Sequence, residues 1–259
     1  GEVWGYTVDG LFKDYQDIAN SAKQDFKQTV DNTGYPGQVK FADLDGDDKV
    51  DYGNLTVDDH GDWSIIGNSM PRYQFGLNLD FSWNGIGLSA FLQGVGKREI
   101  WTTSQFVMPY SRGADAIYAS QMDYVSNAEI EAAIAGTGTI DQSHQQPRLY
   151  PGEGSQGKAS SSILQTGRYN FYPQTRYILN MAYLRLKNVT LGYTIPQRLT
   201  RKISIEKVRV YGTINNALDI INHNKGLGID PEINEKSNYD WGRVDPLLRT
   251  YSFGVQLTF

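Results

Sequence analysis

Cysteine is absent from the 259 residues, which excludes a disulfide framework, a thiolate zinc site and a cysteine nucleophile. There is no long basic tract: 24 Lys and Arg stand against 29 Asp and Glu, for a net charge of -5. That balance excludes a general nucleic-acid binder, which needs clustered cations to neutralise phosphates. Long apolar runs are missing too. None approaches the roughly 18 residues of a spanning helix, and the mean hydropathy is -0.48. Transmembrane helices are excluded, but transmembrane strands are not, because an alternating strand hides half its residues from a hydropathy average. The opening Gly1-Glu2-Val3-Trp4 has no charged or apolar leader, so any secretory signal lies upstream or has been removed, and the chain reads as a fragment of something longer.

What is abundant points to β-structure. The chain holds 17 Tyr and 27 Gly, with 12 % aromatics, which suits strands joined by many turns. Tyr251 to Phe259 alternates without a break, with Tyr251, Phe253, Val255, Leu257 and Phe259 on one face and Ser252, Gly254, Gln256 and Thr258 on the other. A soluble sheet and a membrane wall share this period of two. The same alternation runs from Arg72 to Trp83, then Asn84-Gly85 signals a type I′ hairpin, and Ile86 to Val95 returns. Each arm is about the 9 to 11 residues that a tilted strand needs to cross a bilayer.

Further strands are predicted within 1–12, over 183–195 and over 205–215. In the second of these segments Leu184 and Leu186 oppose Val189, Leu191, Tyr193 and Ile195, which predicts a bulge or a change of environment near Lys187. Six strands then alternate between tight turns and long excursions over 97–177 and 217–245. Six cannot close a membrane barrel, so more strands must come from elsewhere. Two helices are predicted as well. One, over 13–29, follows from the spacing of Phe12, Tyr15, Ile18, Ala19, Ala22 and Phe26. The other, near 127–135, has a Ser126–Glu129 capping box. The Gly/Ser-rich stretch 152–162 reads as a mobile loop.

The run Asp43-Leu44-Asp45-Gly46-Asp47-Asp48-Lys49-Val50-Asp51 resembles a calcium loop, in which several carboxylates and one backbone carbonyl converge on a hard cation. The candidate ligands are Asp43, Asp45, Asp47, Lys49 and Asp51, with Asp62 as a late acid, and the ion is Ca2+ or Mg2+. Two positions depart from the pattern: Asp48 stands where the turn glycine is usual, and Asn54 where a bidentate Glu is usual. The bland alternative is a solvated acidic turn. Gly152 to Lys158 matches most of a P-loop by spacing, yet no apolar strand precedes it and Ala159 replaces the magnesium-binding hydroxyl. It is read as chance. His60, His144 and His223 lie in separate loops without a nucleophile motif, so no catalytic residue is assigned. Trp63, Trp101, Tyr110, Tyr172 and Trp241 are candidate substrate contacts, since aromatic faces stack on sugars or grip peptides, while loop packing is the plain alternative.

Several segments, in order, resemble one family, the SusC/RagA-type TonB-dependent outer-membrane transporters. They are Gly5 to Phe12, Val39 to Asp51 with Ile65 to Asn68, Pro71 to Asn78, Phe91 to Gly96, Tyr183 to Tyr193, Asn215 to Leu218, Asp230-Pro231-Glu232 and Arg249 to Gly254. The resemblance implies an all-β fold: a transmembrane antiparallel β-barrel segment of about six strands out of 22, with long extracellular loops that contain short helices. Residues 1–259 would form the C-terminal barrel part, without plug domain, TonB box or signal peptide. The implied activity is TonB-dependent import of oligosaccharides, or of peptides, across the outer membrane of a Gram-negative bacterium, with the C-terminus periplasmic. The implied partners are the rest of the barrel with its plug, a SusD-like surface lipoprotein, TonB through the plug, the cargo, membrane lipid and lipopolysaccharide. No cofactor is required beyond the candidate ion. In the family Gly is usual at the place of Asp48, which weakens the transfer of the ion site. The rival readings are an outer-membrane enzyme or adhesin using loop carboxylates and, third, a soluble β-barrel.

Overall fold

The computed structural model describes residues 1–24, 35–109, 117–148, 168–233, 241–243, 245 and 247–259. In chain order the elements are β1 (Glu2–Gly5), β2 (Val8–Leu11), α1 (Tyr15–Ala19), β3 (Lys23–Gln24), β4 (Val39–Phe41), β5 (Lys49–Val50), β6 (Ser64–Asn68), β7 (Arg72–Trp83), β8 (Ile86–Lys97), β9 (Glu99–Trp101), α2 (Asn127–Ile134), β10 (Ile178–Asn180), β11 (Tyr183–Thr194), α3 (Gln197–Thr200), β12 (Lys207–Asn222) and β13 (Thr250–Thr258). They fall into two compact units. The first holds residues 1–69, 99–179 and 235–244, and the second holds 70–98, 180–234 and 245–259.

The second unit is one antiparallel sheet in the order β13-β12-β11-β8-β7. Its register puts the large apolar residues in line. Leu79 pairs with Ala90, Ala90 with Val189, Val189 with Ile214 and Ile214 with Tyr251. One step along, Phe81, Leu88, Leu191, Gly212 and Phe253 form the next row. This face is open: Trp83, Phe253 and Val255 are 66 %, 88 % and 64 % exposed. The opposite face is polar and satisfies itself across strands. Ser89 Oγ donates to Asp80 (2.8 Å), Asn188 Nδ2 to Asn215 Oδ1 (2.7 Å), and Asn215 Nδ2 to Thr250 Oγ1 (3.0 Å), while the Thr190 and Thr213 hydroxyls meet at 2.9 Å.

The Asn84-Gly85 turn forms with both φ angles positive, 46° and 84°, as a type I′ hairpin requires. The bulge expected near Lys187 is present, with the register shifting between Leu186 and Asn188 against both neighbouring strands. Its effect is to keep Leu186, paired with Leu92, on the same apolar face as Val189. Without the extra residue the period of two would send Leu184 and Leu186 to the polar side. Five of the six strands read from the sequence make this sheet. The sixth, within 1–12, is instead the two short strands β1 and β2 of the first unit, which pair with different partners, β6 and β4, and are separated at Tyr6-Thr7, where Tyr6 N donates to the Pro173 carbonyl (2.8 Å) and the Tyr6 carbonyl accepts from Thr175 N (3.1 Å). Strand β12 also runs seven residues past its expected end, since its final part pairs with Tyr183 to Leu186.

The first unit is built from short strand pairs, β1 with β6, β2 with β4, β9 with β10, and the parallel pair β3 with β5. The 97–177 excursion is thus in good part packed structure. Tyr6, Leu11, Val39, Phe41, Val50, Val125, Ile130 and Ala133 form its core. α2 starts where Ser126 and Glu129 cap each other: Ser126 Oγ accepts from Glu129 N, and the Glu129 carboxylate takes Ser126 N at 3.0 Å. The helix expected over 13–29 is only α1, capped by Asp14, whose Oδ1 accepts from Asp17 N at 2.7 Å. It stops because Ser21 Oγ closes on Asp17 O (2.6 Å) and Lys23 enters the pair with β5. Residues 25–34, Tyr110 and the 152–162 stretch with its P-loop-like spacing lie outside the described residues. Among the described residues no helix is long and apolar enough to cross a membrane.

Candidate functional site

In the first unit, the acidic loop turns between β4 and β6. Asp48 adopts φ 63°, in the left-handed region, so the turn that usually needs glycine forms with an aspartate, one of the side chains that tolerate it best. Local backbone donors hold the loop: Gly46 N and Asp48 N donate to Asp43 (2.6 and 2.9 Å), and Asp47 N to Asp45 (3.2 Å). Asp62 reaches in from the chain before β6 and accepts from Leu44 N (2.5 Å) and Asp51 N (2.9 Å).

Carboxylate oxygens of Asp43, Asp45 and Asp62 lie within 4.8 Å of one another. This all-oxygen set fits a hard cation such as Ca2+. Burial raises the Asp62 carboxyl above its usual range; the donors from Leu44 and Asp51 oppose this, and the charges of Asp45 and Asp43 add to it. A bound cation would relieve that repulsion. The other sequence candidates are turned to local tasks: Asp47 accepts from Lys49 N (2.9 Å), Asp51 accepts from Gly53 N (2.6 Å), and the Lys49 ammonium sits 3.8 Å from Asp47. Asn54, at the usual place of the bidentate Glu, donates to Asp59 instead.

Among the aromatic candidates, Trp63 packs its ring 5.3 Å from that of Tyr6 and, with Trp4, His60, Leu55, Val57 and Glu2, lines a cavity of about 370 Å³. Trp4 and His60 meet edge to face at 5.6 Å. Trp101 belongs to β9 and is half-buried. Tyr172 stacks on Tyr6 at 6.4 Å, and Trp241 is buried, its carbonyl accepting from Ser104 Oγ at 2.5 Å. The four described candidates therefore do not converge on one site; Tyr110 lies outside the described residues.

Two clusters escaped the sequence reading because their members are far apart in the chain. In the first unit His144 sits between Asp123 (Nδ1 to Oδ1, 2.7 Å) and Glu129 (Nε2 to Oε1, 2.9 Å). Burial disfavours the charged ring, but the two carboxylates outweigh it and raise the His144 pKa. In the second unit the Arg185 guanidinium meets Asp219, Asp230 (3.1 Å) and Glu232 (3.0 Å), and Lys187 shares Glu232 at 2.6 Å. This network ties the Asp230-Pro231-Glu232 segment to the polar face of the sheet.

No family model matches the chain. Two curated proteins of Formosa agariphila do. TonB-dependent receptor P3 is 22 % identical over all of this chain, and TonB-dependent receptor P39 is 23 % identical over 92 % of it. The chain spans 22 % of the length of each. Among solved structures, the RagAB peptide importer in its open-open state superposes over 99 % of the chain with a TM-score of 0.57 at 19 % identity, and its closed-closed state with a TM-score of 0.58 at 17 % identity. These cover 22 % and 23 % of those chains. The likeness shows the fold: the open five-stranded sheet is barrel wall. The relatives are receptors and transporters, not enzymes.

Proposed function

Since this chain is a stretch of SusC/RagA-type TonB-dependent transporter barrel, we propose that it serves active import of oligosaccharides across the outer membrane of a Gram-negative bacterium. It would act within a SusC-like channel, with a SusD-like surface lipoprotein as partner and with energy supplied by TonB through a plug. The observation that carries this reading is the continuous apolar face over five strands, open on one side and backed by a hydrogen-bonded polar face. Exposed hydrocarbon on this scale is stable against lipid, and the polar face suits a lumen. In this arrangement the Asn84-Gly85 hairpin and Phe259 lie at the periplasmic end, and the strand ends near Asn222 and Thr250 at the outer one.

The Trp4, His60 and Trp63 cavity supports a glycan cargo, because ring faces beside Glu2 match the apolar and hydroxyl faces of a sugar. Peptide import is the second reading, favoured by the likeness to the RagAB peptide importer. The test is uptake by intact cells of labelled oligosaccharides and labelled peptides, with and without the transporter gene and with and without TonB. Loss of oligosaccharide uptake in both deletions is expected. Loss of peptide uptake alone would move the assignment to peptides, and unchanged uptake of both would refute import.

We further propose that Asp43, Asp45 and Asp62 bind Ca2+ as a structural ion of the first unit. Calorimetric titration of the detergent-purified transporter with CaCl2 should show binding that Asp62→Asn abolishes. Absence of heat in the unaltered protein would refute it.

A further inference from the structure

The outer part of the second unit carries an open cavity of about 310 Å³, bordered by β11, β12, the turn 225–230 and the approach to β13. Three cations line it, Arg185, Lys225 and Arg249, against two acids, Asp219 and Asp230. These charges are not equivalent. Both acids already face the Arg185 guanidinium, which also holds Glu232. Lys225 and Arg249 have no described carboxylate within ion-pair distance, although the Lys225 charge is felt by Asp219 across the cavity. Arg249 Nε donates only to a neutral acceptor, the Asn216 carbonyl, at 3.3 Å. Ile229 and Leu247 add apolar wall. The cavity therefore combines an excess positive charge in its lining, two cations outside any close ion pair and an apolar side.

We propose that this cavity is a subsite for a carboxylate carried by the cargo, with Lys225 and Arg249 as the groups that bind it. A guanidinium and an ammonium converging on one anion give short, charge-assisted hydrogen bonds that a neutral analogue cannot make. The apolar side packs against the carbon skeleton that bears the acid. Such a carboxylate belongs to a uronic acid in a glycan or to the C-terminus of a peptide. The inference rests on the import reading and adds a charge requirement to it.

The test uses the intact transporter in detergent and two matched probe pairs: trigalacturonate against galactotriose, and a short peptide with a free C-terminus against the same peptide amidated. In titration calorimetry the acid member of at least one pair should bind about tenfold more tightly than its neutral partner. Preference within the first pair identifies a glycan acid, and within the second a peptide terminus. Raising the salt should erode the preference, as for any solvent-accessible ion pair. Arg249→Gln and Lys225→Gln should each abolish it, while Arg249→Lys should keep most of it and guard against a folding artefact. Heat-modified migration on a gel checks that each variant is a folded barrel. The subsite is overturned by equal binding within both pairs, by no binding of either acid at millimolar concentration, or by folded Gln variants that keep the preference. Import itself fails in a different way, through unchanged cellular uptake when the transporter gene is deleted.

Discussion

Both ring nitrogens of His144 face carboxylates, so only the doubly protonated ring can donate to both. The groups around it are Asp123, Glu129 and the nearby Asp141, while Arg176 binds the carbonyls of His144 and Gln145 at 3.2 and 2.7 Å. Because the folded pKa is raised above the usual 6.5, the stabilisation is complete below 6.5 and is lost as pH rises through the folded value. Thermal unfolding of the detergent-solubilised protein should therefore show a melting temperature that declines above pH 6.5, and His144→Asn should flatten that decline. Glu129 behaves oppositely. Hydrogen bonds from Ser126, then from His144, pull it down to about 2 from 4.5, so its contribution is present above 4.5 and is lost as pH falls towards 2. Asp62 is also a residue-scale case. Its raised pKa means that ionisation at neutral pH costs stability, so Ca2+ should raise the melting temperature there, and Asp62→Asn should remove most of the response.

At the scale of elements, turns and bulges decide which face each strand presents. In the β7–β8 hairpin a Cβ on Gly85 would meet the Thr194 carbonyl oxygen at 2.8 Å, with φ already at +84°. Gly85→Val should destabilise the sheet by about 1–2 kcal/mol from the backbone conformation alone. Its urea midpoint should fall, while the same change at exposed Gly46, which shares the positive φ (79°) but has no neighbour within 4 Å, should cost less because only the backbone part applies. The Arg185 network binds β11, β12 and the 230–232 segment together. Arg185→Met takes the cation from Asp219 and Asp230, and leaves Glu232 with Lys187 alone, at a site where the arginine side chain is only 5 % exposed. A loss of about 3–5 kcal/mol is expected, as for removal of one partner of a buried ion pair, measured by unfolding in detergent and compared with Lys187→Met, whose side chain is 22 % exposed. A similar loss in both variants would show that burial of Arg185 is not what sets the cost.

For the molecule as a whole, the two faces of the sheet make opposite demands on solvent. Leu79 lies in the middle of the apolar face and Asn78 beside it on the polar one. Leu79→Arg should cost about 2–4 kcal/mol in a bilayer, while Asn78→Arg should cost far less. Refolding into lipid vesicles across a urea series would measure both, and equal costs would contradict a lipid-facing assignment.

Much of this was legible along the chain. Strand content, the Asn84-Gly85 turn, the α2 capping box and the irregularity near Lys187 are encoded by residues within a few positions of each other, where period, cap and turn chemistry act directly. The clusters were not, because Arg185 meets Asp219 and Asp230, and His144 meets Asp123 and Glu129, across 15 to 45 residues. The helix expected over 13–29 fails for a related reason: the pairing of Lys23 with β5 is a long-range contact that overrides local spacing.

By itself, the sequence determined that alternating strands exist and that each has one apolar and one polar side, since side-chain direction follows from backbone period alone. Only the tertiary structure decided that five such strands share a single open apolar face, because that depends on register and on one bulge. It also decided which acids and bases meet, because ion pairing depends on distance in space rather than along the chain.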